Sequence, residues 1–158
     1  MSDIYSKSKR SEIMSKISDK ETKPEILVRK FLFSKGFRFR KNVKELLGKP
    51  DIVLPKYKTV VFIHGCFWHG HSCKRGALPE TNHKFWQEKI NKNIERDSRN
   101  TSQLKEKGWN VIVIWQCEIR NKNEQDNRLM KLIEEIINKI QPNTQSAQYN
   151  LLDTNKQQ

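Results

Sequence analysis

In the stretch VVFIHGCFWHGHSCKRG, residues 60–76, the chain places three of its four histidines and two of its three cysteines. Cys66, His71 and Cys73 fall within eight residues, and Cys117 ends a later apolar run, WNVIVIWQC. Thiolate and imidazole are the donors of structural zinc, which takes four of them in a tetrahedron. If the apolar runs before Cys66 and Cys117 are neighbouring strands, their ends bring a Cys3His set together. The loop GCFWHGHSCKRG has few apolar residues to anchor it, and a metal supplies that anchor. The blander reading, buried cysteines beside surface histidines, leaves three donors in eight residues without a reason. His64 and His69 are left over. Either could replace His71 as a ligand; otherwise two spare imidazoles beside a basic surface suggest acid–base work.

Carboxylates complete the chemistry. Asp51 follows Pro50 at the start of a short apolar strand, and the next strand ends at Phe62-Ile63-His64. A hairpin between them brings Asp51 to residues 63 and 64. There a carboxylate can hold a hard cation such as Mg²⁺, with the Ile63 backbone carbonyl as a second oxygen. A neutral histidine nearby can then deprotonate a water for attack on a phosphodiester. The other reading of Asp51 is a turn residue after proline. Asp97 falls on an apolar helical stripe, where a carboxylate needs a partner. His64 and His69 can serve, and so can Arg96 or Arg99. Glu25 either completes a helix cap or reaches a metal shell through water.

The elements that must position these groups are readable in outline. A basic polar segment, residues 1–20, forms an arm or a short helix. ETKPEILVRKFLFSKGF reads as a helix, with a capping-box pattern at Thr22 and Glu25, Pro24 in the first turn and Gly36 as the stop. Its apolar face is read at Leu27, Phe31 and Ser34. FRFRKNV alternates like a strand, a turn follows at residues 48–50, and short apolar strands follow at 51–54 and in YKTVVFIHG. Trp86, Ile90, Ile94, Asp97, Thr101 and Leu104 recur at helical spacing along a helix of residues 82–107. A buried-type strand ending at Cys117 and a terminal amphipathic helix, NRLMKLIEEIINKI, complete an α/β domain of residues 21–141: a central sheet with helices on both faces. Residues 142–158, rich in Gln and Asn, are expected to be loosely ordered.

The chain of 158 residues carries a net charge of +13, unevenly spread. Residues 1–50 hold 14 Lys and Arg against 6 Asp and Glu, residues 51–99 hold 9 against 5, and residues 100–158 hold 8 against 7. The excess surrounds the His/Cys cluster, which points to a polyanionic partner, nucleic acid above all. No run reaches the roughly 18 apolar residues of a membrane span. The polar start MSDIYSKSKRSEIMSK has no secretory h-region, so a cytoplasmic protein without a membrane partner is expected. Three cysteines, an odd count, read better as metal ligands than as disulfides in a reducing compartment.

Four motifs in order, GKPDIV, FIHGCFWH-x-H-x-C, FW-x-EKI-x-KN-x-ERD and GW-x-V-x-x-IW-x-C, resemble the very-short-patch repair (Vsr) DNA mismatch endonucleases, from about Arg10 to Ile140. The resemblance implies a restriction-endonuclease-like fold with a degenerate PD-(D/E)xK site and a structural zinc. It implies a bacterial enzyme that nicks double-stranded DNA 5′ to the T of a T·G mismatch, the product of 5-methylcytosine deamination, acting as a monomer with a MutL-type repair partner. Mg²⁺ on Asp51 and the Ile63 carbonyl is implied, with His69 as base supported by His64, Asp97 and Glu25. Zinc on Cys66, His71, Cys73 and Cys117 is implied, as is wedging of the duplex by Phe67, Trp68 and Met14. The chain has Ile63 where the family often has Thr, a change that a carbonyl ligand tolerates. It also lacks the second acid and the lysine of the usual nuclease pattern, so Asp51 and the histidines carry more of the chemistry. A non-catalytic zinc DNA-binding protein is the competing expectation. It explains the charge and the cysteines but gives Asp51 and the spare histidines no task.

Overall fold

The computed structural model describes residues 6–15 and 21–139. Helix α1 (Lys7–Ser15) is followed by α2 (Lys23–Ser34), the strands β1 (Arg40–Lys41), β2 (Ile52–Leu54) and β3 (Thr59–His64), the long helix α3 (His83–Glu106), β4 (Asn110–Trp115) and α4 (Lys122–Asn138). The strands form one mixed sheet in the order β1-β2-β3-β4. The first two pairings are antiparallel and β3–β4 is parallel, reached by the crossover through α3.

Alternation along the strands divides the core between two faces. Ile52, Leu54, Val61, Ile112 and Ile114 pack with Val28 and Leu32 of α2 and with Leu129, Leu132 and Ile136 of α4. Val53, Val60 and Phe62 point the other way and pack with Leu104 of α3. The helices therefore lie on both faces, as expected. Of the 24 residues of α3 only Ile90 and Leu104 are buried, so most of this helix is free to serve the surface it borders.

Three local expectations change. The buried face of α2 is Glu25, Val28, Arg29 and Leu32, while Leu27 and Phe31 flank it and Ser34 is exposed. Two charged residues occupy the inward stripe, which is why hydrophobicity alone points to the wrong face. The Thr22 cap receives the Glu25 N–H at 3.5 Å, but the Glu25 carboxylate accepts from the Glu21 N–H at 2.9 Å instead of closing the box on Thr22. The first strand shrinks to two residues at the sheet edge, Arg40 and Lys41. The Gly36 stop holds: the Phe37 N–H bonds to the Leu32 carbonyl and the Gly36 N–H to that of Phe33, closing a Schellman turn. Residues 1–5, 16–20 and 140–158 lie outside the described residues, and with them half of the expected arm and the whole expected tail.

Candidate active site and metal centre

The parallel register pairs His64 with Trp115, so Cys66 and Cys117 each stand two residues beyond the last pair, side by side at the ends of their strands. The chain after β3 then coils back on itself. The His69 N–H donates to the Gly65 carbonyl at 3.2 Å, the His71 N–H to Cys66 at 2.9 Å and the Gly76 N–H to Cys73 at 3.0 Å. This brings the sulfurs of Cys66, Cys73 and Cys117 and a ring nitrogen of His71 within 4.8 Å of one another. Cys117 Sγ is 3.5 Å from His71 Nδ1. Gly76 makes the coil possible, because a Cβ there would stand 1.8 Å from the His71 carbonyl oxygen.

The thiols cannot share their protons evenly. Burial, then the sulfurs of Cys66 and Cys73, push Cys117 up to about 12. For Cys73 burial acts in the same upward sense, but the hydrogen bond to His71 and the amides of Gly76 and Arg75 bring it down to about 6. A divalent cation removes this conflict by replacing the thiol protons. Three sulfurs and one imidazole nitrogen, with Cys66 buried and the other three half-buried, are a donor set that fits zinc.

Next to this centre lies a cleft of about 610 Å³. Glu25, Asp51, Ile63, His64, His69 and Asp97, all anticipated, line it together. The antiparallel β2–β3 register sets Asp51 opposite the end of β3, and its Oδ2 accepts the Ile63 N–H at 2.7 Å. Burial, with the nearby Glu25 adding to it, outweighs that hydrogen bond and raises Asp51 to about 6. Two carboxylates in one half-buried cleft, one of them hard to ionise, are hard oxygen donors that fit a small divalent cation.

Across the cleft the imidazoles form an ordered pair. The His64 and His69 rings stack with centroids 3.8 Å apart and planes 4° from parallel. His69 Nδ1 is 2.5 Å from Asp97 Oδ2, and the other Asp97 oxygen accepts from Arg96 at 3.1 Å. Burial opposes ionisation of Asp97, yet His69 and then Arg96 more than offset it and hold the carboxyl below its usual range. Burial, and then the neighbouring His69, lower His64 to about 4, so it is neutral at physiological pH.

Trp115, which the sequence does not single out, joins the two clusters. Its ring stacks on His71 at 4.3 Å and meets His64 edge-on at 5.2 Å. The signal was its spacing, two residues before Cys117 as His64 is two before Cys66. Phe67 and Trp68 lie in an aromatic group with Trp86 of α3, at centroid distances of 5.4 and 6.0 Å. Trp86 heads the stripe of helical spacing along α3, a pattern that gives it no role beyond the helix. The loop is tied to α3 where Asn93 donates to the Trp68 carbonyl at 3.0 Å. Met14 is on α1, but its side chain lies outside what is described.

The DNA mismatch endonuclease Vsr family model matches residues 2–75. The type II nicking enzyme V.NmeAIP of Neisseria meningitidis is 61% identical over 136 residues, 86% of this chain and 97% of that protein. The type II nicking enzyme V.XorIIP of Xanthomonas oryzae is 42% identical over 134 residues, 85% and 98% of the two chains. The DNA mismatch endonuclease Vsr of Escherichia coli is 41% identical over 138 residues, 87% and 88%. With relatives this similar over nearly their whole length, and with its cleft in view, the chain belongs to the Vsr family of DNA endonucleases, hydrolases of phosphodiester bonds.

Proposed function

We propose that this protein nicks one strand of double-stranded DNA 5′ to the T of a T·G mismatch, using Mg²⁺ in the cleft and zinc in the Cys3His centre, to start very short patch repair. The observation that carries the reading is the convergence of Asp51 and the His64–His69–Asp97 array on one cleft. A non-catalytic DNA-binding protein has no use for that arrangement.

Asp51 and the Ile63 carbonyl would hold Mg²⁺, with Glu25 reaching it through water. When bound, such an ion would offset charge on the attacked phosphate and make the attacking water easier to deprotonate. His69 is the base. Its Nδ1 is held by Asp97, which leaves Nε2 to take the proton from water and stabilises the imidazolium that results. His64, stacked on the same ring, orients it and being neutral does not oppose its charge. Cys66, His71, Cys73 and Cys117 would fasten the loop that carries His69, Phe67 and Trp68, with no part in hydrolysis. Phe67 and Trp68, with Met14 from α1, are assigned to press into the base stack. Unstacking costs about a few kcal/mol at a base step, less at a mismatch, and so yields selectivity. The sheet with helices on both faces is compatible with a restriction-endonuclease-like fold. The remaining parts of the reading are action as a monomer in a bacterial cytoplasm and contact with a MutL-type protein. Among the described residues no helix is long and apolar enough to cross a membrane.

The test is cleavage of a T·G duplex with Mg²⁺ by the wild type and by Asp51→Ala. A single nick 5′ to the T, lost in the variant by at least a hundredfold, is expected from removing a metal-holding carboxylate. Wild type that binds without cutting ends the enzymatic reading, and an unimpaired variant ends the Asp51 assignment. Equal cutting of fully paired DNA favours a general nuclease.

A further inference from the structure

The motif GKPD contains a residue that the proposed chemistry does not use. Lys49 lines the same cleft as Asp51, two residues away, and its backbone has φ +50°. An unbranched L-residue rarely occupies that left-handed region, and glycine would do so freely. The turn needs the conformation twice in succession, since Gly48 has φ +75° and is pressed against Asn100 and the Phe62 ring, where a Cβ would find contacts of 3.2 Å. The Lys49 N–H closes the turn on the Leu46 carbonyl at 3.1 Å, and buried Pro50 follows. The side chain is exposed and neither hydrogen-bonds nor ion-pairs with another described residue. Lys44, exposed on the same loop, has no hydrogen-bond or ion-pair partner among the described residues either, and also lines the cleft.

The electrostatics of the cleft call for such cations. Glu25, Asp51 and Asp97 make its floor acidic, and Arg96 is already engaged by Asp97. A phosphodiester entering against three carboxylates is repelled unless fixed positive charge at the rim offsets them. We propose that Lys49 is a phosphate-holding residue: its ammonium takes the DNA backbone phosphate next to the one that lies over Asp51, and the strained turn aims it there. This rests on the nuclease reading above. It adds that the residue before the proline of GKPD sets the register of the strand in the cleft, through a charge that reads no base.

Lys49→Gly is the informative variant, because the backbone geometry is kept while the charge is removed. Binding to a T·G duplex and to its fully paired counterpart is measured across a salt series without added magnesium, followed by nicking with magnesium. One lost phosphate contact lowers the slope of log K against log salt by about 1 and weakens binding about tenfold at 0.1 M salt, equally for both duplexes. Lys49→Arg restores both. In nicking, KM rises with kcat within about twofold of wild type. The melting temperature stays within about 2 °C, because relief of the left-handed strain and the greater freedom of the unfolded glycine chain oppose each other. Lys131→Ala, on the far side of the sheet in α4, leaves the slope as it is. An unchanged slope in Lys49→Gly overturns the proposal, and so does a loss confined to the mismatched duplex, which would indicate a base contact. Wild type that binds but does not nick defeats the nuclease reading while the slopes still decide the role of Lys49.

Discussion

Asp51 shows at the scale of one residue how a group proposed for function works against folding. Its pKa in the folded chain, about 6, lies above the ordinary 3.8. The folded state therefore holds this proton more tightly than the unfolded one, and stability present at low pH is lost as pH rises from about 4 through 6. The loss is on the order of 2–3 kcal/mol when complete. Asp51→Asn keeps an oxygen for the Ile63 N–H and removes the charge. In thermal melts at pH 8 without magnesium it should be more stable than wild type by several degrees, the gain vanishing near pH 4. The same variant should not cut. A variant no more stable at pH 8 would show that Asp51 ionises without strain. The proton also competes with the cation, so magnesium should bind wild type more weakly below about pH 6.

Elements decide which of these residues meet, and here the sequence was informative to different depths. The juxtaposition of Cys66 and Cys117 is legible because a cysteine follows each of two β-branched apolar runs at the same spacing, two residues beyond the last pair of the parallel register. The Asp51–Ile63 contact followed from a hairpin of fixed span. The face of α2 was not legible: Glu25 and Arg29 are buried there, and a charge on the inward side defeats any pattern of apolar residues. Trp86 and Trp115 were missed for a related reason, since an aromatic ring on an apolar stripe looks the same in a core and in a site. Gly76 was missed because a close backbone approach leaves no local trace. It yields a test of the loop as a unit. Gly76→Ala forces a Cβ onto the His71 carbonyl, an overlap that costs about 1–3 kcal/mol or more. Metal analysis should find about one zinc per wild-type chain and clearly less in Gly76→Ala, with a melting point lower by several degrees. Cys117→Ala should lose the metal outright. Either variant melting normally with its metal in place would separate the loop from the centre assigned to hold it.

On the scale of the whole molecule, affinity and selectivity should come from different surfaces. The positive charge is concentrated in the first two thirds of the chain, and phosphates along any duplex respond to it alike. The candidate wedge residues Phe67 and Trp68, in contrast, are uncharged and packed on each other and on Trp86, with Lys89 5.8 Å from the Trp68 ring. To enter a base stack these rings must leave that packing, and they regain as much surface only where the stack opens readily, as at a mismatch. Raising salt should therefore reduce kcat/KM on T·G and fully paired duplexes by the same factor, because the released counterions are common to both. The ratio between the two substrates should stay constant from about 50 to 200 mM salt while each rate falls steeply. Measuring both in one reaction, with the strands labelled differently, removes uncertainty about active enzyme. A ratio that collapses with salt would place mismatch selectivity in the charged contacts and leave the aromatic group as packing for the loop alone.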